Sequence, residues 1–302
     1  MKVAVVSGKG GTGKSTVTAS FVALADEKGY DVTAIDCDTD ASNLFLVYNP
    51  KIDFEKHFLT GVHAVIDQNR CSKCGICYNN CAFDAISRTD DGFYIDPVSC
   101  DGCKLCARLC PNGAISLIES NSSMIYGGKF QHGYILYGRM SPGEENSGKM
   151  VSAIREISRE KQDNTNTNNY NKTAEDNNKE SIEILDGPPG IGCPVISTLT
   201  GIDKIVVVTE PTLSGLSDMK RVIELADSFS CEIFVIINKY DLNNKVADDI
   251  ELWCKTKDIP VITKIPFDRQ MINAIINNQC INDYDPKSIC SIKLSEAFNK
   301  II

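Results

Sequence analysis

Short apolar runs recur along the chain at 3–6, 32–35, 182–185, 205–209, 233–237 and 262–266. They are rich in valine and isoleucine and predict strands buried on both faces. Between them the spacing of apolar residues becomes helical. Val17, Phe21, Leu24 and Ala25 share one face of a segment at 15–28 that stops at Gly29. Met150, Val151, Ile154 and Ile157 mark a second helix, 214–229 is amphipathic, and helices at 269–277 and 289–301 close the chain. The last is short and poorly basic, which fits core packing rather than a membrane surface. Strands alternating with helices predict an α/β fold built on a doubly wound, mostly parallel sheet.

Three stretches depart from this alternation. Residues 124–126 and 134–137 are apolar pieces around Gly127 and Gly128 and predict a hairpin. Residues 162–180 are asparagine-rich with almost no apolar side chain and predict a flexible surface loop. From about residue 60 the chain turns to cysteine. Cys71, Cys74, Cys77 and Cys81 form C-x2-C-x2-C-x3-C; Cys100, Cys103, Cys106 and Cys110 repeat it 29 residues later, with Pro111 behind. The flanks repeat too, Ala85-Ile86 against Ala114-Ile115. Zinc knuckles pair C-x2-C units, four thiolates to a metal, and fit two triplets with remote fourth cysteines poorly.

Composition narrows the classes. The chain has 302 residues, enough for about two domains, and a net charge of −9, which disfavours a nucleic-acid surface. No apolar run is long enough to span a bilayer. The N-terminus begins with a strand rather than a secretion signal, so the protein is expected to be cytoplasmic. Its 14 cysteines are then expected to bind metal rather than form disulfides. His57, His63 and His132 pair neither with each other nor with the cysteine runs, and read as solvated or core residues. The expected organisation is a nucleotide-binding body at 1–59 and 119–302 around a cysteine-rich insert at 60–118.

The chemistry starts in the loop after the first strand, Gly8-Lys9-Gly10-Gly11-Thr12-Gly13-Lys14-Ser15-Thr16. Gly8, Gly13, Lys14 and Ser15 satisfy G-x-x-x-x-G-K-[ST], a phosphate-binding loop. Glycines let backbone N–H groups turn toward phosphate oxygens, and the next helix offers its positive N-terminus. Lys14 is expected at the β/γ-phosphates and Ser15 at Mg²⁺. The second strand ends in Asp36-Cys37-Asp38-Thr39-Asp40, an acidic cluster suited to a metal and a water. The third ends in Asp186-Gly187-Pro188-Pro189-Gly190, with Asp186 placed for Mg²⁺. Asn238-Lys239-Tyr240-Asp241 can read a purine through the Asn238 amide; Asp241 leaves GTP open beside ATP.

Lys9 makes the loop Lys-Gly-Gly-Thr-Gly-Lys-Ser, which resembles the deviant Walker A motif of the MinD/ParA/Mrp and nitrogenase iron-protein group of ATPases. The resemblance implies a homodimer that closes on ATP, with Lys9 crossing to the partner's nucleotide. It implies that Asp38 orients the attacking water, that Asp36 lies near the metal, and that Asp186 is the Walker B carboxylate. It also implies that the Gly190 N–H senses the γ-phosphate. The stretch from Glu144 to Lys149 resembles a segment of ferredoxin-containing MinD-like ATPases, and reads as an interface or nucleotide-sensing loop or a capped helix start. The cysteine runs resemble a two-cluster bacterial ferredoxin. That implies one [4Fe–4S] cluster on Cys71, Cys74, Cys77 and Cys110 and a second on Cys100, Cys103, Cys106 and Cys81. Gly75 and Gly102 would bring backbone amides close to cluster sulfur. Ala82 stands where that family has proline, and removes no ligand.

Two functions are compatible with these features. One is an ATPase that gates low-potential electron transfer from the clusters to a partner protein. The other is a carrier or scaffold that hands a cluster or metallocofactor to an acceptor, as Mrp-like proteins do. The second asks for labile cysteines near the switches, for which Cys193 and Cys37 are the candidates. Cys231, Cys254, Cys280 and Cys290 are scattered and read as small core residues. Spatial positioning of DNA or division proteins lacks a basic patch and a membrane tail.

Overall fold

The computed structural model describes residues 1–59, 61–120, 123–142, 144, 146–167 and 179–302. It divides into two compact units, one of residues 1–55, 125–138 and 147–302 and one of residues 56–124 and 139–146. In chain order the elements are β1 (Lys2–Ser7), α1 (Lys14–Glu27), β2 (Asp31–Asp36), α2 (Leu44–Tyr48), β3 (Lys51–Phe58) and β4 (Gly61–Ile66). Next come α3 (Ile76–Asn79), β5 (Ile86–Thr89), β6 (Gly92–Ile95), α4 (Leu105–Leu109), β7 (Ile115–Ser120), β8 (Ser123–Phe130) and β9 (Gly133–Arg139). Then follow α5 (Ser147–Thr167), β10 (Ser181–Pro189), α6 (Cys193–Leu199), β11 (Lys204–Thr209), α7 (Leu213–Ala226) and β12 (Glu232–Asn238). The last are α8 (Asn244–Thr256), β13 (Val261–Ile265), α9 (Arg269–Ile276), α10 (Ile281–Tyr284) and α11 (Ile289–Asn299).

The main sheet has nine strands in the order β13-β12-β11-β1-β10-β2-β9-β8-β3. From β13 to β9 every neighbouring pair is parallel. The six apolar runs all fall in this parallel part, where crossover helices cover both faces and leave no strand face for polar residues. Val3, Val5, Ile184, Val206 and Ile236 are fully buried, and Phe21 of α1 meets Phe298 of α11 with ring centres 5.3 Å apart. Register decides the site: β10 pairs with β2 so that Asp186 stands opposite Asp36, and with β1 so that Asp186 stands opposite Val5. The carboxyl ends of three adjacent strands therefore meet beside the glycine loop, where ligands bind in open α/β sheets.

The structure departs from expectation at several points, among them helices α2, α6 and α10, which the apolar pattern does not predict, and Gly127 and Gly128, which lie within β8 rather than at the hairpin turn. Helix α5 runs on to Thr167, into the stretch expected to be loop; its buried face at Met150, Val151 and Ile154 nucleates it, and adding residues to a formed helix costs little. Residues 168–178 of that expected loop lie outside the described residues. Strand β3 and helix α8 were not anticipated. The Ile52 and Phe54 alternation of β3 is hidden by charges, while Val246, Ala247, Ile250 and Cys254 give α8 a helical stripe behind an Asn243 cap. Among the described residues no helix is long and apolar enough to cross a membrane.

The cysteine unit shows its repeat in the backbone. β4 pairs with β7 and β5 with β6, both antiparallel, so that Ile66 faces Ile115 and Ile95 faces Ile86. The Asp67 amide donates to Ala114 O at 2.7 Å, and the Asp96 amide to Ala85 O at 2.9 Å. Left-handed residues recur at matching positions: Lys73 with Gly102, Gly75 with Lys104, Asp84 with Gly113. The two runs thus fold as two similar halves around one small core of Ala64, Ile66, Ile86, Phe93, Ile95 and Ile115.

His132, in the turn between β8 and β9, lies 2.9 Å through Nδ1 from Asp26 and 2.8 Å through Nε2 from Asp283. The hydrogen bond to Asp283, helped by Asp26 against partial burial, raises its pKa. Only the protonated ring can donate to both carboxylates. A folded pKa above the unfolded one means that this stabilisation is full below about pH 6.5 and is lost as pH climbs through the folded value. His132→Asn should lower urea stability by about 2 kcal/mol at pH 6. The deficit should shrink toward pH 9; a deficit constant across that range would contradict the assignment.

Candidate functional site

The loop between β1 and α1 curls through Gly11 and Gly13, both left-handed with φ of +81° and +90°. A Cβ on Gly13 would lie 2.3 Å from Asn238 Nδ2, so the loop closes tightly on β12. Gly8 packs as closely on Asp218 of α7, 2.5 Å from an added Cβ. The loop, α2 and α9 border a cavity of about 630 Å³, in the range of small-molecule sites. Gly10, Gly11, Thr12, Gly13, Lys14, Ser15, Thr16, Asp38 and Asn238 line its polar side. Leu46, Val47, Met271, Ile272 and Ile275 line its apolar side. Gly8, Lys9, Asp36, Asp186 and Gly190 do not line it.

Behind the loop lies a dry cluster of charge. Lys14 Nζ is 2.9 Å from Asp186 Oδ1, which also accepts from Thr18 Oγ1 at 2.8 Å. Burial opposes the Lys14 charge, but Asp186 outweighs it and the pKa rises. Asp186 Oδ2 is buried and has no hydrogen-bond partner among the described residues. Asp36 is fully buried and accepts from Ser42 Oγ at 2.8 Å and from the amides of Asp38, Asn43 and Leu44 at 3.0, 3.1 and 3.0 Å. It holds the acidic loop in shape. Burial and then the facing Asp186 push its pKa up to about 7, against the pull of Lys14. Asp38, on the cavity wall, is also raised by burial, again with Lys14 opposing.

Several expected contacts point elsewhere. Lys9 folds onto its own chain, its Nζ 2.6 Å from Glu210 Oε1, 3.0 Å from Thr212 Oγ1 and 3.1 Å from Ser214 Oγ. An ammonium group takes the nearest acceptors; the turn before α7 supplies two and the first turn of α7 the third. Lys239 Nζ donates to Gly11 O at 2.9 Å and lies 3.5 Å from Glu210 Oε2. Asn238 braces the loop: its Nδ2 donates to Thr12 O at 2.8 Å and its Oδ1 accepts from the Lys239 amide at 3.0 Å. The Gly190 amide donates to Ser7 O at 2.9 Å. Asp241 accepts from the Phe267 amide at 2.7 Å. Glu210 and Lys239 escape prediction as a pair because nothing in either strand end shows that they meet. Gly143 and Glu145 lie outside the described residues; Ser147 begins α5.

In the other unit the cysteines form two nests. Cys71, Cys74, Cys77 and Cys110 line one small hollow with Ile66, Phe93 and Ile115. Cys81, Cys100, Cys103 and Cys106 line the other with Ala64, Ile86 and Ile95. The Ala114 amide donates to Cys110 Sγ at 3.2 Å and the Ala64 amide to Cys100 Sγ at 3.5 Å. A Cβ on Gly102 would lie 2.0 Å from Val62 O, so only glycine fits there. Burial, with neighbouring thiols adding to it, raises the pKa of Cys77 and of Cys106. Among the described residues no three His, Cys, Asp or Glu side chains converge as ligands of a single metal ion. Of the remaining cysteines, Cys37, Cys254, Cys280 and Cys290 are buried and Cys193 is exposed.

A family model described as the CobQ/CobB/MinD/ParA nucleotide binding domain matches residues 3–281. The chain belongs to this family. It is 33% identical to an uncharacterized protein, MJ0578, of Methanocaldococcus jannaschii, over 100% of this chain and 96% of that one. It is 22% identical to an uncharacterized ATP-binding protein of the same organism, MJ0169, over 96% of this chain and 84% of that one. The septum site-determining protein MinD of Pyrococcus horikoshii, solved with Mg-ADP, shares the fold with a TM-score of 0.59 and 18% identity, covering 99% of this chain and 95% of that one. A stretch of 79 residues, 26% of this chain and 37% of the other, is 35% identical to hydrogenase-4 component A of Escherichia coli.

In this MinD/ParA-type domain the glycine loop and the two strand-end aspartates form one unit, and Lys14 neutralises it. Lys14→Ala should abolish binding of a fluorescent nucleotide analogue. It should also lower stability by about 3 kcal/mol in urea, because Asp186 is left buried without its counter-charge. Unchanged binding would remove Lys14 from the site.

Proposed function

We propose that the chain is a homodimeric ATPase that couples ATP binding and hydrolysis to low-potential electron transfer from two [4Fe–4S] clusters to a partner protein. The observation that carries this reading is the composition of the two cysteine nests. Each takes three thiols from one run and the fourth from the other. The donor set fits the group. Thiolates are the ligands these clusters use, four to each cluster, and a cluster holds them farther apart than a single ion does. Amides aimed at Cys100 and Cys110, and apolar walls from Ile66, Phe93 and Ile95, supply the sulfur hydrogen bonds and the dry surroundings that tune such centres. When bound, the clusters supply one-electron transfer. The hydrogenase-component match adds support for a redox role.

At the nucleotide, Ser15 and the unpartnered Asp186 Oδ2 would hold Mg²⁺. Lys14, now on Asp186, is the cation for the β/γ-phosphates. Asp38 is the water-positioning carboxylate, and its burial makes it the stronger base. Asp241 is occupied by the Phe267 amide and stands off the cavity wall, which favours ATP over GTP. Closure of a dimer on ATP requires Lys9 to leave Glu210. The carrier alternative draws on exposed Cys193 alone, because Cys37 is buried with its thiol pushed up to about 12.

Anaerobically reconstituted protein should carry about eight iron atoms and Cys74→Ser about half of that. Mg-ATP should speed oxidation of the reduced protein by a low-potential one-electron acceptor. Unchanged iron in Cys74→Ser would refute the ligand scheme. Oxidation indifferent to nucleotide, with iron passing to an apo-acceptor, would favour the carrier.

A further inference from the structure

Arg155 lies in the middle of α5, buried at 4% exposure. Its Nη1 donates to Ser197 O at 2.5 Å and Thr198 O at 3.1 Å, the carbonyls of the last turn of α6. A cation at that end suits the helix dipole. Its Nη2 is buried with no hydrogen-bond partner among the described residues. No described carboxylate comes within ion-pair distance of it; nearby Glu183 is engaged by Ser158 at 2.5 Å, Gln162 at 3.1 Å and Lys2 at 3.2 Å. An arginine that only plugged a core would have both arms satisfied or would be replaced by an apolar residue.

The groups around this guanidinium belong to the nucleotide site. Helix α6 directly follows the Asp186–Gly192 loop. Cys37, between Asp36 and Asp38, is fully buried, and its thiol and the guanidinium are near enough to act on each other's charge. The Cys37 amide donates to Asp186 O at 2.9 Å, tying the two acidic loops together. At the start of α5, Gly148 sits against Cys193, the first residue of α6; an added Cβ would be 3.2 Å away. Met150, Val151 and Ile154 are fully buried and pack this part of α5 into the core.

We propose that Arg155 is a positioning residue through which the two acidic loops of the nucleotide site act on α5. This rests on the nucleotide reading of that site. When nucleotide and metal reorder the loops, the Ser197 and Thr198 carbonyls and Cys37 shift around a guanidinium with one donor unpaired, and α5 is drawn with it. A half-satisfied buried network is the kind that small displacements re-pair. α5 begins at Ser147, the residue that follows the last segment of the cysteine unit.

Hydrogen–deuterium exchange of the full-length, cluster-loaded protein with and without a non-hydrolysable Mg-ATP analogue tests this. In the wild type the analogue should slow exchange at 8–16 and change it at 147–158 by about threefold or more. Arg155→Met should keep the protection at 8–16 and lose the change at 147–158, while Arg155→Lys should restore part of it. If Arg155→Met does not fold, Cys37→Ala, which removes the buried thiol between the two acidic residues, should weaken the response of 147–158. A wild-type response at 147–158 that survives both Arg155→Met and Cys37→Ala, or protection at 8–16 with no response at 147–158, would overturn the proposal. Absence of wild-type protection at 8–16 would overturn the nucleotide reading itself, and the proposal with it.

Discussion

One ammonium group and two carboxylates share the dry end of three adjacent parallel strands, and the nucleotide site is built around that arrangement. Asp36 and Asp186 face each other across β2 and β10 because the register of a fully buried sheet allows no other placement. Burial, and after it the facing Asp186, push the pKa of Asp36 up to about 7. Lys14 makes the arrangement tolerable by pairing with Asp186. The same lysine is the phosphate ligand expected of the loop, so nucleotide and Asp186 would compete for it. A divalent cation at Asp186 Oδ2 would replace the charge that Lys14 gives up. On the proposed function, binding of metal and of nucleotide would be linked through a single side chain.

The loop is also braced from outside. Asn238 and Lys239 hold the Thr12 and Gly11 carbonyls, while Glu210 holds both Lys9 and Lys239. These contacts hold the glycines in their left-handed turn and stow Lys9 within its own chain. The cysteine unit solves a different problem, placing eight thiols in two nests with little core. It does so by duplication. Left-handed backbone appears at the same points of each half, and non-glycine residues such as Lys73 and Lys104 accept it where the turn demands it.

Much of this was legible in the sequence. The parallel strands announce themselves because burial on both faces leaves unbroken valine and isoleucine runs. The cysteine repeat announces itself through its regular spacing, and the structure gathers the same two sets of four cysteines around two hollows. What escaped was set by contacts distant in sequence. Asn238 reads as a base contact at the end of a strand, yet the close approach of Gly13 turns its amide to the loop. Lys9 reads as a lysine that crosses to a partner's nucleotide, yet within its own chain Glu210 lies beside it once β11 is placed next to β1. Strand β3 hides its alternation among charged residues at an edge that needs little apolar cover.

The proposed function requires nucleotide state to govern the energy of the clusters. The direct measurement is an anaerobic redox titration of the loaded protein, followed by electron paramagnetic resonance with and without Mg-ATP. The account predicts that Mg-ATP shifts the midpoint potential or alters the reduced-cluster signal, and that Lys14→Ala removes the effect. An identical potential and signal in both conditions, with nucleotide demonstrably bound, would contradict it.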